Sequence, residues 1–468
     1  MDATRAFAEF AHDLSAADLS PAAADAAGRL ALDTVGVSLA AWDAPGVREL
    51  RAVLPQWGGG PCRAWIGGET LSPPAAALVN AAMAHALEYD DLHCELPIHT
   101  GVVAVPAVLT MAAAVRGVTG ADAACAIVAA TEVICRLGRA TNSYFGDTGQ
   151  RGWSPTAVLA GFGAAAAAGR LLGLDADGIE RAIGLVFSQA SGSQQCVADG
   201  GLVKRMQPGM GIDAGLRAAW LAQAGVTGAM NAIEGRIGYF ALYEAGDYDP
   251  AKLTDGLGEP GGRLEIEDVG FKRYPICGMA HPAVDALREL QAEIGFTAGD
   301  VAELAAFGSV SVMDMIGRPY APGANPSVDA QFNLAYCLAS VLLTGNMRLA
   351  DLAPGCTLDA GRREWADRIP VRLDEGLKGQ WTARVEVTLR DGARLTRERD
   401  KAAGQSDNPV STEELLAKFE DCNAAGGPAL SADAARTLAA LLLDLPNLPS
   451  LAPIQAALAP TDGMRRDR

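Results

Sequence analysis

Hydrophobic positions recur at three- and four-residue spacing through most of the first 265 residues, the pattern of helices with one buried face. Ala-rich segments carrying Leu, Val or Ile in that rhythm run over 18–41, 75–91, 103–116, 121–140, 155–173, 177–190 and 210–225. GVTGAD and LGLDADG punctuate them, and Asp122 and Asp177 stand where N-caps are expected. The two most apolar runs, Gly101 to Val115 and Thr156 to Gly169, are 15 and 14 residues long. Both fall short of the ~20 residues of a membrane span. They predict tightly packed interior helices.

The rhythm changes after about Gly262. RLEIEDVGFKRYPICG mixes short apolar alternation with Pro and Gly, and FGSVSVMD, from 307, predicts a strand. TARVEVTLRDGARLTRER alternates Val385, Val387 and Leu389, turns at Asp391-Gly392 and resumes, which predicts a hairpin. Helices are expected at 282–294 and 328–344. Ser411-x-x-Glu414 then opens a further helix with a capping pattern. The predicted fold class is mainly α: a large all-helical domain built from residues 1–265 and 405–460, with a smaller α+β domain at 266–404 inserted. The C-terminal PTDGMRRDR is expected to fray.

A chain of 468 residues exceeds one core of ordinary size, so two domains are expected. The net charge of −18 argues against nucleic acid and against an anionic membrane surface. The N-terminus lacks the basic flank and apolar core of a signal peptide. Nine cysteines never approach closer than ten positions. They form no CxxC pair and predict scattered thiols in a reducing cytoplasm.

Three of only five histidines fall within AHALEYDDLHCELPIHTG. His85 lies on a predicted helix whose C-terminal end holds Asp90 and Asp91, and His93 and His99 lie on the irregular loop beyond it. Read as a helix extending to 91, His85, Tyr89 and Leu92 would share one face, and Glu88 and Asp91 another. Paired carboxylates beside loop histidines suit acid–base chemistry, and the spacing matches no familiar zinc or calcium pattern. Six lysines are present, and two of them form the chain's two Lys-Arg dipeptides, Lys204-Arg205 and Lys272-Arg273. Each lies in a short Gly/Pro-flanked loop, as expected of anchors for carboxylates or phosphates. His281 opens a later helix. Lys418, on a late helix, is expected to lie away from any cleft. No P-loop or GxSxG motif is present, and no GxGxxG follows a predicted strand.

Several segments together carry a resemblance: AHALEYDDLH with His99, GWSPTAVLAGFGAAAAAGRLLGL, VKRMQPGMGIDAGLRAAWLAQAGVTG, FKRYPICGMAHPAVDAL, DAQFNLAYCLASVLLTG, VEVTLRDG and NPVSTEELLAKF. In this order, from about residue 30 to 420, they resemble the MmgE/PrpD family, which includes 2-methylcitrate dehydratase, cis-aconitate decarboxylase and an iminodisuccinate epimerase. The resemblance implies a helical domain built from both chain ends with an inserted α+β lid, a homodimer, no metal and no organic cofactor. It places the site between the domains, at Glu88 to Asp91, His99, Lys204, Lys272 and His281. Two departures stand out: Ser154 and Gln207 occupy positions where the family usually has histidine.

These readings converge on proton abstraction next to a carboxylate of a small polycarboxylate. His99, oriented by Asp90 or Asp91, is the expected base. Lys204, Lys272 and Arg205 would hold carboxylates, and His281 or a lysine would return the proton. Glu88, Ser154, Gln207, Arg273 and Tyr274 are expected to contact substrate. A hydro-lyase of the 2-methylcitrate dehydratase type is the first expectation. Isomerisation, epimerisation, decarboxylation or silent carboxylate binding on the same scaffold are the alternatives.

Overall fold

The computed structural model describes residues 2–142, 152–379, 381–406, 408–427 and 429–459, so the fraying expected at 460–468 lies outside the described residues. The fold is mainly α. Helices Pro21–Ala40, Pro73–His85, Gly101–Ala114, Gly120–Ala140, Pro155–Leu171, Ala176–Val186 and Gln207–Gln223 contribute to one hydrophobic core. Helices Thr412–Ala425 and Ala432–Leu443 return to that core through Leu415, Phe419, Leu438 and Leu442. Small residues set a close seam between Pro155–Leu171 and Gln207–Gln223. A Cβ on Gly215 would stand 2.7 Å from the Gly161 carbonyl oxygen and 2.8 Å from Ala164 Cβ. Only glycine lets those two backbones touch.

Local sequence accounts for the helix ends. Ser411 and Glu414 form the expected capping box. Thr119, not Asp122, caps Gly120–Ala140, and Asp175, not Asp177, caps Ala176–Val186. Both expected caps fall inside the first turn, where a carboxylate suits the positive end of the helix dipole.

A second core gathers residues between Tyr274 and Leu389. Helices His281–Ile294 and Leu334–Thr344 contribute to it, as does a four-stranded sheet ordered Val371–Leu373, Val301–Gly308, Ala383–Leu389, Arg394–Arg399. The first pair is parallel and the other two antiparallel. Ala383, Val385, Val387 and Leu389 point inward in the alternation expected of the hairpin, which turns at Gly392. FGSVSVMD is not one strand. Pairing stops at Gly308, and Val310–Ile316 is a helix that buries Val312 and Ile316 at helical spacing.

Two passages connect the cores and run side by side: Phe271 N donates to Gly404 O at 2.9 Å. On the first passage, Val269–Gly270 pairs antiparallel with Leu92–His93. That short ladder brings Lys272 against the acidic segment that follows Pro73–His85. No helix among the described residues is long and apolar enough to cross a membrane.

Candidate active site

The helix expected to continue to residue 91 ends at His85. Glu88 has φ +51°, a left-handed conformation that costs a non-glycine residue about 1–2 kcal/mol. Tertiary hydrogen bonds offset that cost. Lys272 Nζ donates to Glu88 O at 3.1 Å, and Lys418 Nζ donates to Tyr89 O at 2.6 Å. The helical faces expected for Tyr89, Asp91 and Leu92 therefore do not form, and Leu92–His93 is extended.

Asp90 is the hub of the arrangement and is fully buried. Its Oδ2 lies 2.7 Å from His85 Nδ1 and 2.9 Å from His99 Nδ1. His99 Nδ1 is also 2.7 Å from the Asp91 carbonyl oxygen. Both of its neighbours only accept, so Nδ1 carries a proton and Nε2 is the ring nitrogen left to exchange one with a substrate. The two imidazoles meet edge to face with centroids 5.0 Å apart. Burial opposes ionisation of Asp90, but His99, His85 and Lys272 hold its carboxyl well below the usual range. Burial and then Lys204 push His85 down to about 4, so its ring is neutral near pH 7.

Glu88 joins the two lysines. Lys204 Nζ pairs with its Oε1, and Lys272 Nζ is 3.6 Å from its Oε2 and 3.8 Å from Asp90 Oδ1. Burial disfavours the Glu88 anion, yet Lys204 and Lys272 bring its carboxyl down to about 2. Burial likewise opposes the Lys272 cation, and Asp90 and Glu88 more than compensate, so its pKa is raised.

These groups face a cleft lined by His85, Glu88, His99, Ser154, Lys204 and Lys272. Of the residues singled out from sequence, Glu88, His99, Ser154, Lys204 and Lys272 reach it, with Asp90 directly behind the imidazoles. His85, from the same histidine-rich stretch, also lines it, although it is not among the residues expected at the site. Thr156, whose Oγ1 accepts from His99 N at 3.1 Å, carried no signal of its own.

The remaining expected residues lie elsewhere. The Asp91 carboxylate accepts from Thr100 N at 2.8 Å and Gly101 N at 2.9 Å, capping Gly101–Ala114. Arg205 donates to Pro45 O, and Gln207 bonds with Ser193 and Cys196. Arg273 pairs with Glu414, and the Tyr274 hydroxyl donates to Asp285. His281 is buried in a small pocket behind Lys272 with Gly404 and Gln405, and burial with Lys272 pushes it down to about 3. Lys204 and Arg205 lie on a 3-10 helix, Leu202–Met206, rather than in the expected loop, while Lys272 and Arg273 lie on an irregular segment. In both, neighbouring side chains point different ways, so one member of each pair reaches the cleft. Lys418 is not remote: it pairs with Asp33 at 2.6 Å and donates to Lys272 O at 3.0 Å.

His85, Asp90 and His99 offer donor atoms within 4.8 Å of one another, as do His93, Cys135 and Glu265. In the first set, Lys272 already supplies a cation beside Asp90, which works against a divalent ion. In the second, His93 Nδ1 accepts from Glu95 N and Leu96 N, so Nε2 carries the proton it donates to Glu265 and has no lone pair for a metal.

Residues 5–251 match the MmgE/PrpD N-terminal domain, and residues 274–444 match the MmgE/PrpD C-terminal domain. The chain is 27% identical over 424 residues to a cis-aconitate decarboxylase from Aspergillus terreus, covering 84% of this chain and 83% of that one. It is 25% identical over 389 residues to the cis-aconitate decarboxylase of Homo sapiens, covering 81% and 78%.

Proposed function

The chain belongs to the MmgE/PrpD family, and on that premise we propose that it is a lyase that removes carbon dioxide from a small unsaturated polycarboxylate of the cis-aconitate kind. The observation that carries this reading is one carboxylate, Asp90, holding two imidazoles on a cleft that also presents Lys204 and Lys272. The lysines bind the carboxylates that stay on the product and stabilise charge that develops near them. The bond to the departing carboxylate breaks, and its electron pair forms a new carbon–carbon double bond. The electrons of the old double bond then take a proton at the far carbon. His99 supplies that proton from Nε2 of its protonated ring while Nδ1–H stays on Asp90, and the ring regains a proton from water once product leaves. The position of the cleft, lined from both cores, supports treating 266–404 as an inserted domain that covers the site.

Dehydration is the second reading, favoured by the presence of two imidazoles. It requires one group to take a proton and another to protonate a leaving hydroxyl. Both imidazoles here share one carboxylate, and position 154 offers a serine, so the arrangement suits a single proton delivery better. The test is to incubate the purified protein with cis-aconitate, citrate, 2-methylcitrate and iminodisuccinate, following carbon dioxide and product together. Carbon dioxide stoichiometric with an unsaturated product supports decarboxylation. Product without carbon dioxide, one water lighter than substrate, replaces it with dehydration.

A further inference from the structure

Part of the cleft lining is apolar. Met279, Met315, Phe332 and Trp381 line it from the second core, joined by Leu92 and Val197. Lys204 touches both kinds of lining: its Nζ pairs with Glu88 and lies 5.4 Å from the centroid of the Phe332 ring. Leu92 and Trp381 close together over Gly278, where a Cβ would meet Leu92 Cδ2 at 2.8 Å and Trp381 Cζ3 at 2.9 Å.

A compact polycarboxylate leaves that wall without a complementary surface. Carboxylates pressed against it would lose water and gain no partner, whereas hydrocarbon would gain by leaving water. Resting on the carboxylate-binding reading of this cleft, we infer that the substrate carries an apolar substituent of several carbons, which lies against Met279, Met315, Phe332 and Trp381 while Lys204 and Lys272 hold its carboxylates.

The test is a calorimetric binding series with unreactive probes: succinate, methylsuccinate, butylsuccinate and hexylsuccinate. Affinity is expected to rise roughly fourfold per methylene group buried, up to the length the wall accommodates. In Met315→Ser the gain from methyl to butyl should shrink severalfold, because a polar group then interrupts the wall. Succinate binding with an affinity that stays flat or falls along the series overturns the inference and leaves the carboxylate-binding reading standing. Failure of every probe to bind, succinate included, overturns both.

Discussion

Lys272 Nζ lies 3.8 Å from Asp90 Oδ1, while the other oxygen of that carboxylate holds the two imidazoles. One buried anion is thus shared between the cation proposed to bind substrate and the rings proposed to move its proton. Residues far apart in the chain, at 85–99 and 272, form a single charged unit because Leu92–His93 pairs with Val269–Gly270.

Replacing Asp90 removes the hub. Asp90→Asn should lower kcat by about 10²-fold or more, the scale of a lost acid–base arrangement, while circular dichroism shows a folded protein. Turnover within threefold of wild type would show that neither ring depends on the carboxylate.

Lys204 and Lys252 separate site charge from surface charge. Lys204 lines the cleft, whereas the Lys252 side chain is 42% exposed beside Asp249. Lys204→Ala should raise KM by tenfold or more and Lys252→Ala should leave it within twofold. Steady-state kinetics on both variants decides the matter, and equal KM values would remove Lys204 from substrate binding.

Several of these placements were legible beforehand and others were not. Helical spacing found the apolar helices, and strict alternation found the hairpin at Ala383–Leu389, because each pattern is local. The end of the helix at His85 was not legible, since Ala-rich sequence runs up to it and the bonds that turn the chain come from Lys272 and Lys418. Composition picked out both Lys-Arg pairs but could not say which member faces inward. Lys418 lacked any local mark: its role is set by Asp33 and by two carbonyls from distant segments.

That buried ammonium gives a stability prediction. Lys418→Met strands Asp33 without its partner and should cost about 3–5 kcal/mol, as breaking a buried ion pair does. It also releases Tyr89 O and Lys272 O, so kcat should fall. Adding Asp33→Asn should recover most of the stability, since no charge is left unpaired. Urea denaturation of the single and double variants checks this, and a double variant no more stable than the single would contradict it.

The depressed His85 predicts an acid-sensitive fold. Its ordinary value of 6.5 falls to about 4 in the folded chain, by burial first and Lys204 second. Between those values the unfolded chain holds the extra proton, so stability rises with pH there. The contribution is complete above pH 6.5 and is lost as pH falls toward 4, amounting to about 3 kcal/mol at most. Asp33 works in the opposite sense. Burial raises it from 3.8 to about 6, so its contribution is full below 3.8 and lost as pH rises through 6. Comparing variants isolates the histidine: His85→Asn should show a smaller loss of Tm between pH 7 and pH 5 than wild type. Equal losses would mean that His85 titrates alike folded and unfolded.

The central claim is that an imidazole held by Asp90 delivers one proton to carbon as carbon dioxide leaves. Its most direct test is a reaction with cis-aconitate in D₂O, followed by proton NMR for wild type and His99→Gln. Wild type should place one deuterium on the product carbon next to a retained carboxylate, with one carbon dioxide released per molecule. His99→Gln should form that product at least about 10²-fold more slowly. Product formed by His99→Gln at the wild-type rate with the same deuterium content would contradict the assignment of His99 as the proton donor.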